Sequence, residues 1–238
     1  MKLLIIGYGK MGRSIEEIAR ERGHHIAGII DVDNYSALHD MNAAKVDVAI
    51  EFSQPEAAYD NIRFCLEKGI KILSGTTGWL VRKQDIEAIC HKHQGTFFYA
   101  SNYSIGVNLF FRLNRYLANL IKDYPQYRIA MTEIHHTEKK DAPSGTAITL
   151  AEDIINTNPR IKKWENQVAG DVETLGIISQ RTGKVPGTHI INCISDIDQI
   201  EIKHEAFSRK GFALGAVLVA EWLKDREGLL NMHDFLEI

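Results

Sequence analysis

The sequence predicts an α/β protein in two parts, a parallel-sheet nucleotide domain followed by an α+β domain with a mostly antiparallel sheet. Three observations predict it. Short apolar runs alternate with helical spacings from Lys2 to Tyr103. A glycine-rich turn follows the first run at once. From Leu175 onward, strand-like runs are separated by short polar turns with no helical spacing between them. Alternating strands and helices imply a parallel sheet with right-handed crossovers, whereas consecutive strands imply antiparallel pairing.

Lys2-Leu3-Leu4-Ile5-Ile6 reads as a buried strand. Gly7-Tyr8-Gly9-Lys10-Met11-Gly12 follows, then a helix from Arg13 to Arg22 and a second strand from His25 to Ile30, closed by Asp31. This is a Rossmann-type fingerprint. Gly7 permits the tight turn, Gly9 lets a pyrophosphate approach the backbone, and Gly12 lets helix and strand pack. Asp31 lies nineteen positions after Gly12, where a carboxylate accepts from ribose hydroxyls. Val32, Asp33 and Asn34 add no cation, so NADH is expected over NADPH, with Lys10 as the nearby positive charge that leaves NADPH open.

Strands are expected at Val46–Phe52, Ile70–Ser74 and Thr96–Ala100, and helices from Ser53 to Lys68 and Asp85 to His93. Gly75-Thr76-Thr77 and Ala100-Ser101-Asn102-Tyr103 then sit at the carboxyl ends of strands, the edge where such sheets bind ligands. A helix from Gly106 to Lys122 follows, through Leu109, Leu113, Leu117 and Leu120, and a strand from Tyr127 to Glu133. The dinucleotide-binding domain is expected over 1–103, completed by 211–238 with its apolar helix Phe212–Leu223. A substrate-binding and oligomerisation domain is expected over 104–210.

The stretch from Glu133 to Thr146 carries the densest chemistry. His135 and His136 lie four residues from Lys139 and Lys140, and Asp141-Ala142-Pro143-Ser144-Gly145-Thr146 reads as a helix start. The orphan N–H groups there, with the helix dipole, suit an anion. A small acidic substrate held beside an acid or base is the simplest use of this arrangement. The plainer alternative is a solvated His- and Lys-rich loop. No metal is expected, since adjacent histidines point apart on a regular element and no Cys or third His follows at ligand spacing. Arg181 and Arg209 are possible carboxylate partners, with surface pairing as their ordinary role, and His189 could line a substrate site. The remaining histidines, His24, His25, His39, His91, His93, His204 and His233, read as surface or packing residues.

The 238 residues are 45% hydrophobic and 25% charged, with net charge −3, which argues against a nucleic-acid partner. Cys65, Cys90 and Cys193 fit neither a disulfide nor a zinc pattern, which suits a reducing compartment. No signal peptide or membrane span is visible, so a cytoplasmic location is expected.

Glu133-Ile134-His135-His136, Lys139 and Asp141-Ala142-Pro143-Ser144-Gly145-Thr146-Ala147 together resemble the signature of the dihydrodipicolinate reductase family. Ser101–Asn108, Gly75-Thr76-Thr77-Gly78 and Phe212-Ala213-Leu214-Gly215-Ala216 resemble further motifs of that family. The resemblance implies reduction of a small cyclic dicarboxylate with NAD(P)H in lysine and diaminopimelate biosynthesis. It implies that His135 is the acid/base and Lys139 the proton donor. His136, Ser144, Gly145 and Thr146 match substrate contacts. Gly7 to Gly12, Asp31, Gly75 to Thr77 and Ala100 to Tyr103 match cofactor contacts. A homotetramer formed through the second domain's sheet, with the second domain closing over the cofactor, is also implied. The glycine loop is one residue shorter than the family's common form, and the usual basic residue after the acid is absent, which again points to NADH. Another two-domain dehydrogenase, or an NADH-sensing protein without turnover, remains an alternative.

Overall fold

The computed structural model describes residues 1–208 and 210–237. Arg209 lies outside the described residues. The chain forms two compact units, Met1–Ile105 with the segment from Lys210 onward, and the intervening chain from Gly106.

The first unit holds β1 (Lys2–Ile6), α1 (Lys10–Glu21), β2 (His25–Ile30), β3 (Val48–Glu51), α2 (Pro55–Glu67), β4 (Lys71–Ser74), α3 (Lys83–Lys92) and β5 (Thr96–Tyr99). Its sheet has the order β11-β5-β4-β3-β1-β2, where β11 is the short strand Gly228–Leu230, and every neighbouring pair is parallel. Period-two alternation splits its side chains between two cores, as a sheet covered on both faces requires. Leu3, Ile5, Val48 and Ile50 pack with Ile15 and Ile18 of α1 and Val217 and Ala220 of α6 (Lys210–Leu223). Leu4, Ile6, Ala49 and Ile72 pack with Ile62 and Leu66 of α2 and Ile86 of α3. β1 lies between β2 and β3, so the order reverses beside it and the loop after β1 opens at a switch point.

The second unit comprises most of α4 (Ile105–Ile121), then β6 (Arg128–His135), α5 (Gly145–Thr157), β7 (Lys163–Glu165), β8 (Thr174–Arg181), β9 (Gly187–Ile194) and β10 (Gln199–Ala206). The sheet order is β10-β9-β6-β8-β7. It is mixed. β9 runs antiparallel to β6 and β10, while β8 runs parallel to β6 and β7. The reason is topological: α5 supplies a crossover between β6 and β8, so β8 returns in the same direction. β8 and β9, consecutive in sequence, therefore flank β6 instead of pairing. Met131, Ile129, Ile177, Leu175, Ile191 and Cys193 bury one sheet face against Phe110 and Leu117 of α4 and Leu150 and Ile154 of α5. On α4 the buried stripe runs through Val107, Phe110, Asn114, Leu117 and Ile121, leaving Leu109, Leu113 and Leu120 exposed.

Among the described residues no helix is long and apolar enough to cross a membrane. Cys65, Cys90 and Cys193 are free and buried.

Helix α6 rides on the chain at Tyr103. A Cβ at Gly215 would lie 1.8 Å from the Tyr103 carbonyl oxygen, a backbone atom with no room to yield. Gly215→Ala is expected to cost about 1–3 kcal/mol and lower the thermal midpoint by several degrees, measured by far-ultraviolet circular dichroism. An unchanged midpoint would show that α6 shifts freely.

Candidate active site

Two clusters of predicted residues form, one in each unit. In the first, Gly7 has φ +90°, and a Cβ there would meet the Phe52 carbonyl oxygen at 2.1 Å. A Cβ at Gly12 would meet the Gly7 carbonyl oxygen at 2.1 Å. Both glycines are demanded by the protein's own backbone. Gly9 is different. It is exposed, starts α1 with no side-chain cap, and a Cβ there would meet nothing within 4 Å. The first-turn N–H groups of a helix are orphans, so the residues present fit a pyrophosphate.

Tyr8, Lys10 and Met11 complete this loop, with Lys10 exposed. Lys10 is not the only cation there. The Arg13 guanidinium lies 4.7 Å from the Tyr8 ring centre, and the Tyr8 hydroxyl donates to Glu16. Asp31 directly follows β2, and its N–H donates to Asn34 Oδ1 at 2.7 Å. The Asn34 amide in turn donates to the Ile29 carbonyl at 2.9 Å, pinning the end of the strand.

Gly75, Thr76 and Thr77 follow β4. Thr77 is exposed, whereas the Thr76 hydroxyl donates inward to Glu51 at 2.9 Å. Glu51 is fully buried at the end of β3 and also accepts from Ser74 Oγ and from the Ser53 N–H and hydroxyl. Ala100 is buried, Ser101 exposed, and Asn102 Oδ1 accepts from the Ser104 N–H. Tyr103 lies in the core, stacked near Phe52 and Phe98, with its hydroxyl donating to the Ser74 carbonyl at 2.8 Å. Burial pushes its phenol well above the usual range, so its side chain is structural.

The second cluster forms at the end of β6. Along β6, β8 and β9 the inward face changes from apolar to polar at one row. Ser179, Glu133, His189 and His204 lie side by side on β8, β6, β9 and β10. His135 is two residues further along β6 and pairs in register with Arg181. β6 thus extends through His135, two residues beyond the expected strand end, and buries that histidine instead of leaving it in a loop. The connection from β8 to β9 passes over this end: Thr182 N–H donates to the His135 carbonyl at 2.8 Å. A Cβ at Gly187 would lie 3.1 Å from His135 Nε2.

Glu133, at 0% exposure, is the hub. Arg181 Nη2 donates to its Oε1 at 3.0 Å. The Ser144 N–H donates to both carboxylate oxygens at 3.1 Å. His135 Nδ1 lies 3.3 Å from Oε2, too obliquely for a good hydrogen bond. Burial alone would raise this carboxyl, but contacts with His135, Ser144, Ser179 and Arg181 together outweigh it and hold the group far below the usual carboxylate range. Arg181 was expected at the surface. It instead joins the buried Glu133 carboxylate to the Asp141 carbonyl, at 2.6 Å. His189, weakly expected, is buried with Nε2 at 3.3 Å from Ser144 Oγ and 3.9 Å from Glu133.

Ser144 caps α5 by accepting the Ala147 N–H at 3.2 Å. Gly145 beyond it is exposed with nothing near its absent side chain. Thr146 stands in the first turn and is half-buried, as is His136. Lys139 Nζ is held by both Asp141 oxygens at 2.8 Å. The sheet also supplies what the sequence spacing lacked: ligand atoms of Glu133, His135 and His189 all lie within 4.8 Å of one another. The Arg181 guanidinium and Ser144 N–H already neutralise and saturate that carboxylate, so a cation would have to compete with them. A depression of about 610 Å³ lies at the opposite end of this sheet, between Arg128, Ile178 and Ile194, and contains none of these groups.

Dihydrodipicolinate reductase family models match the chain at both ends, the N-terminus model over residues 1–103 and the C-terminus model over 106–236. The chain belongs to the dihydrodipicolinate reductase family. That family consists of NAD(P)H-dependent oxidoreductases. A 4-hydroxy-tetrahydrodipicolinate reductase of Christiangramia forsetii is 47% identical over 236 residues, covering 99% of this chain and 98% of the relative. One from Alkaliphilus oremlandii is 37% identical, covering 100% and 99%. A dipicolinate-bound dihydrodipicolinate reductase from Paenisporosarcina sp. TG-14 shares the fold, with TM-score 0.76 at 20% identity over 99% of each chain.

His189 gives the second unit a pH dependence. Burial first, then the charges of His135, His204 and Lys139 against the opposing pull of Glu133, pushes it from 6.5 down to about 3. Between those values the unfolded chain binds the extra proton, so acid favours unfolding by about 1.4 kcal/mol per pH unit. The contribution is complete above pH 6.5 and is lost toward pH 3. Glu133, also depressed, acts in the same direction below its ordinary range. The thermal midpoint is expected to fall between pH 6.5 and 4.5, and less steeply in His189→Gln. Equal slopes would contradict the buried neutral imidazole.

Proposed function

We propose that this chain reduces 4-hydroxy-tetrahydrodipicolinate to tetrahydrodipicolinate in lysine and diaminopimelate biosynthesis, with the first unit binding the dinucleotide and the second the substrate. The observation that carries the reading is the second cluster. An imidazole, an ammonium and an open helix start converge on one end of one sheet, in a chain whose curated relatives bear the reductase name.

NADH, when bound, supplies the hydride, and reduction also consumes one proton. His135 is the acid/base and Lys139 the proton donor. The residue types suit the task, since an imidazole exchanges protons near neutrality and an ammonium is a point donor. His136 and the start of α5 hold the two substrate carboxylates. The Gly145 and Thr146 N–H groups have no intrahelical partner, and the helix dipole adds to their attraction for an anion. The Ser144 N–H and hydroxyl act differently: they are engaged inside, to Glu133 and Ala147.

On the first unit, the glycine loop 7–12 takes the pyrophosphate, Asp31 the ribose hydroxyls, and Gly75 to Thr77 and Ala100 to Tyr103 line the remaining contacts, Tyr103 through its backbone. Asp31 and Asp33 beside the ribose site favour NADH, and NADPH is the weaker cofactor. The outer sheet face of the second unit, with Ile178, Ile190 and Ile194 only part-buried or exposed, supports a homotetramer. Three unpaired thiols support a cytoplasmic location.

The deciding assay follows NADH and NADPH oxidation with freshly made cyclic product of dihydrodipicolinate synthase. Both cofactors are expected to be consumed, NADH with the higher kcat/KM. Absence of oxidation with either would reject the reading. His135→Ala and Lys139→Ala should each lower turnover by about 10²-fold or more. Asp31→Ala should lower kcat/KM for NADH by at least about tenfold, since hydrogen bonds to a charged group contribute roughly 1.5–3 kcal/mol, and leave NADPH little changed.

A further inference from the structure

We infer that Glu133 is a positioning residue that holds the end of β6, and with it His135, together with the loop that carries Lys139 and the start of α5. The inference rests on the proposed reduction and deepens it. Glu133 is fully buried and touches groups from each element around it: His135 on its own strand, Ser179 and Arg181 on β8, His189 on β9, and Ser144 at the start of α5. A buried carboxylate is tolerated only when its partners are fixed. Its geometry is therefore imposed on all of them at once.

Three consequences reach the substrate site. Glu133 Oε2 stands 3.3 Å from His135 Nδ1. Gly187 on the next strand leaves the ring its room, since a Cβ there would lie 3.1 Å from Nε2. Arg181 ties the same carboxylate to the Asp141 carbonyl, and Asp141 holds Lys139, so one buried charge sets both the strand end that carries His135 and the loop that carries Lys139. His189, His204, Lys139 and Asp141 are the other titratable groups facing this region, and His189 is kept neutral by burial, so the Glu133 charge is balanced chiefly by Arg181.

The test uses the full-length protein. Glu133→Gln keeps the shape and removes the charge. NADH affinity, read by fluorescence titration, reports the first unit and is expected to be unchanged. kcat with the cyclic substrate is expected to fall about tenfold to a hundredfold. KM for the cyclic substrate should change less than kcat, because the loss is in placing the proton-handling groups and not in holding the substrate. Gly187→Ala crowds the ring without altering charge. It should lower kcat at unchanged NADH affinity, and it decides the matter if Glu133→Gln does not fold. Wild-type kcat in either variant, or a fall in kcat/KM carried wholly by KM in Glu133→Gln, would overturn the assignment. So would loss of wild-type activity on chelation restored by zinc, which would make Glu133, His135 and His189 metal ligands. A wild-type protein that oxidises neither cofactor would instead remove the proposed reaction, a separate result.

Discussion

The second unit is built around one unfavourable act, the complete burial of the Glu133 carboxylate. An isolated charge in a protein interior costs several kcal/mol, so the fold must deliver donors to it from several directions. It does so with backbone register. β6 lies between β8 and β9, which brings Arg181 and His189 to either side of it. α5 begins where its first N–H group, that of Ser144, can point at both oxygens. Removing any donor leaves part of the charge unpaired, so strand order, helix start and loop position are locked to a single arrangement. The apolar rows below supply the stability, and the carboxylate selects among the ways of using it.

The first unit repeats the device. Glu51 ends β3 fully buried and accepts from Ser74 at the end of β4 and from Ser53 and Thr76 in the loops that follow β3 and β4. In both units an acid at the carboxyl end of a strand anchors ligand-side loops from within. Thr76 shows the division of labour. Its hydroxyl is spent on Glu51, while its neighbour Thr77 stays exposed. Tyr103 is similar, a large side chain that closes the core while its own carbonyl packs against Gly215 of α6.

Local chemistry was readable in the sequence, and pairing across the sheet was not. The glycine loop, the first five strands and the Ser144 cap each have a signature spanning a few residues. Glu133, Arg181 and His189 do not: Arg181 and His189 lie 48 and 45 or more residues along the chain from their partners Glu133 and Ser144, and only register brings them together. An apolar-to-polar change at matching positions of three strands was the available clue, but it needs the strand order to be read. The order itself was hidden because β8 and β9 look like a hairpin, with β6 between them. The leucines of α4 mark the helix but not its buried side. Leucine is frequent on exposed helix surfaces, and the buried face is the one that carries Phe110, Asn114 and Ala118. β7 and β11, three residues each, are too short to show a period.

The glycines separate what the fold needs from what a ligand needs. Gly7, Gly12 and Gly215 are required by the protein's own backbone, since a Cβ at each would collide with a carbonyl oxygen. Gly9 and Gly145 meet no such neighbour, and neither has a positive φ. Nothing in the chain forbids a side chain at either, and at Gly145, inside α5, alanine would be the better helix residue. Both are exposed, and each stands at the start of a helix, Gly9 at α1 and Gly145 at α5. A glycine that the fold does not require, placed over orphan N–H groups, keeps a surface bare for something that must approach closely. The same reasoning thus assigns one anion to each unit, a pyrophosphate over α1 and a substrate carboxylate over α5. Glu133 holds the start of α5 from inside, Glu51 holds the loops after β3 and β4, and the bare glycines leave both helix starts open from outside.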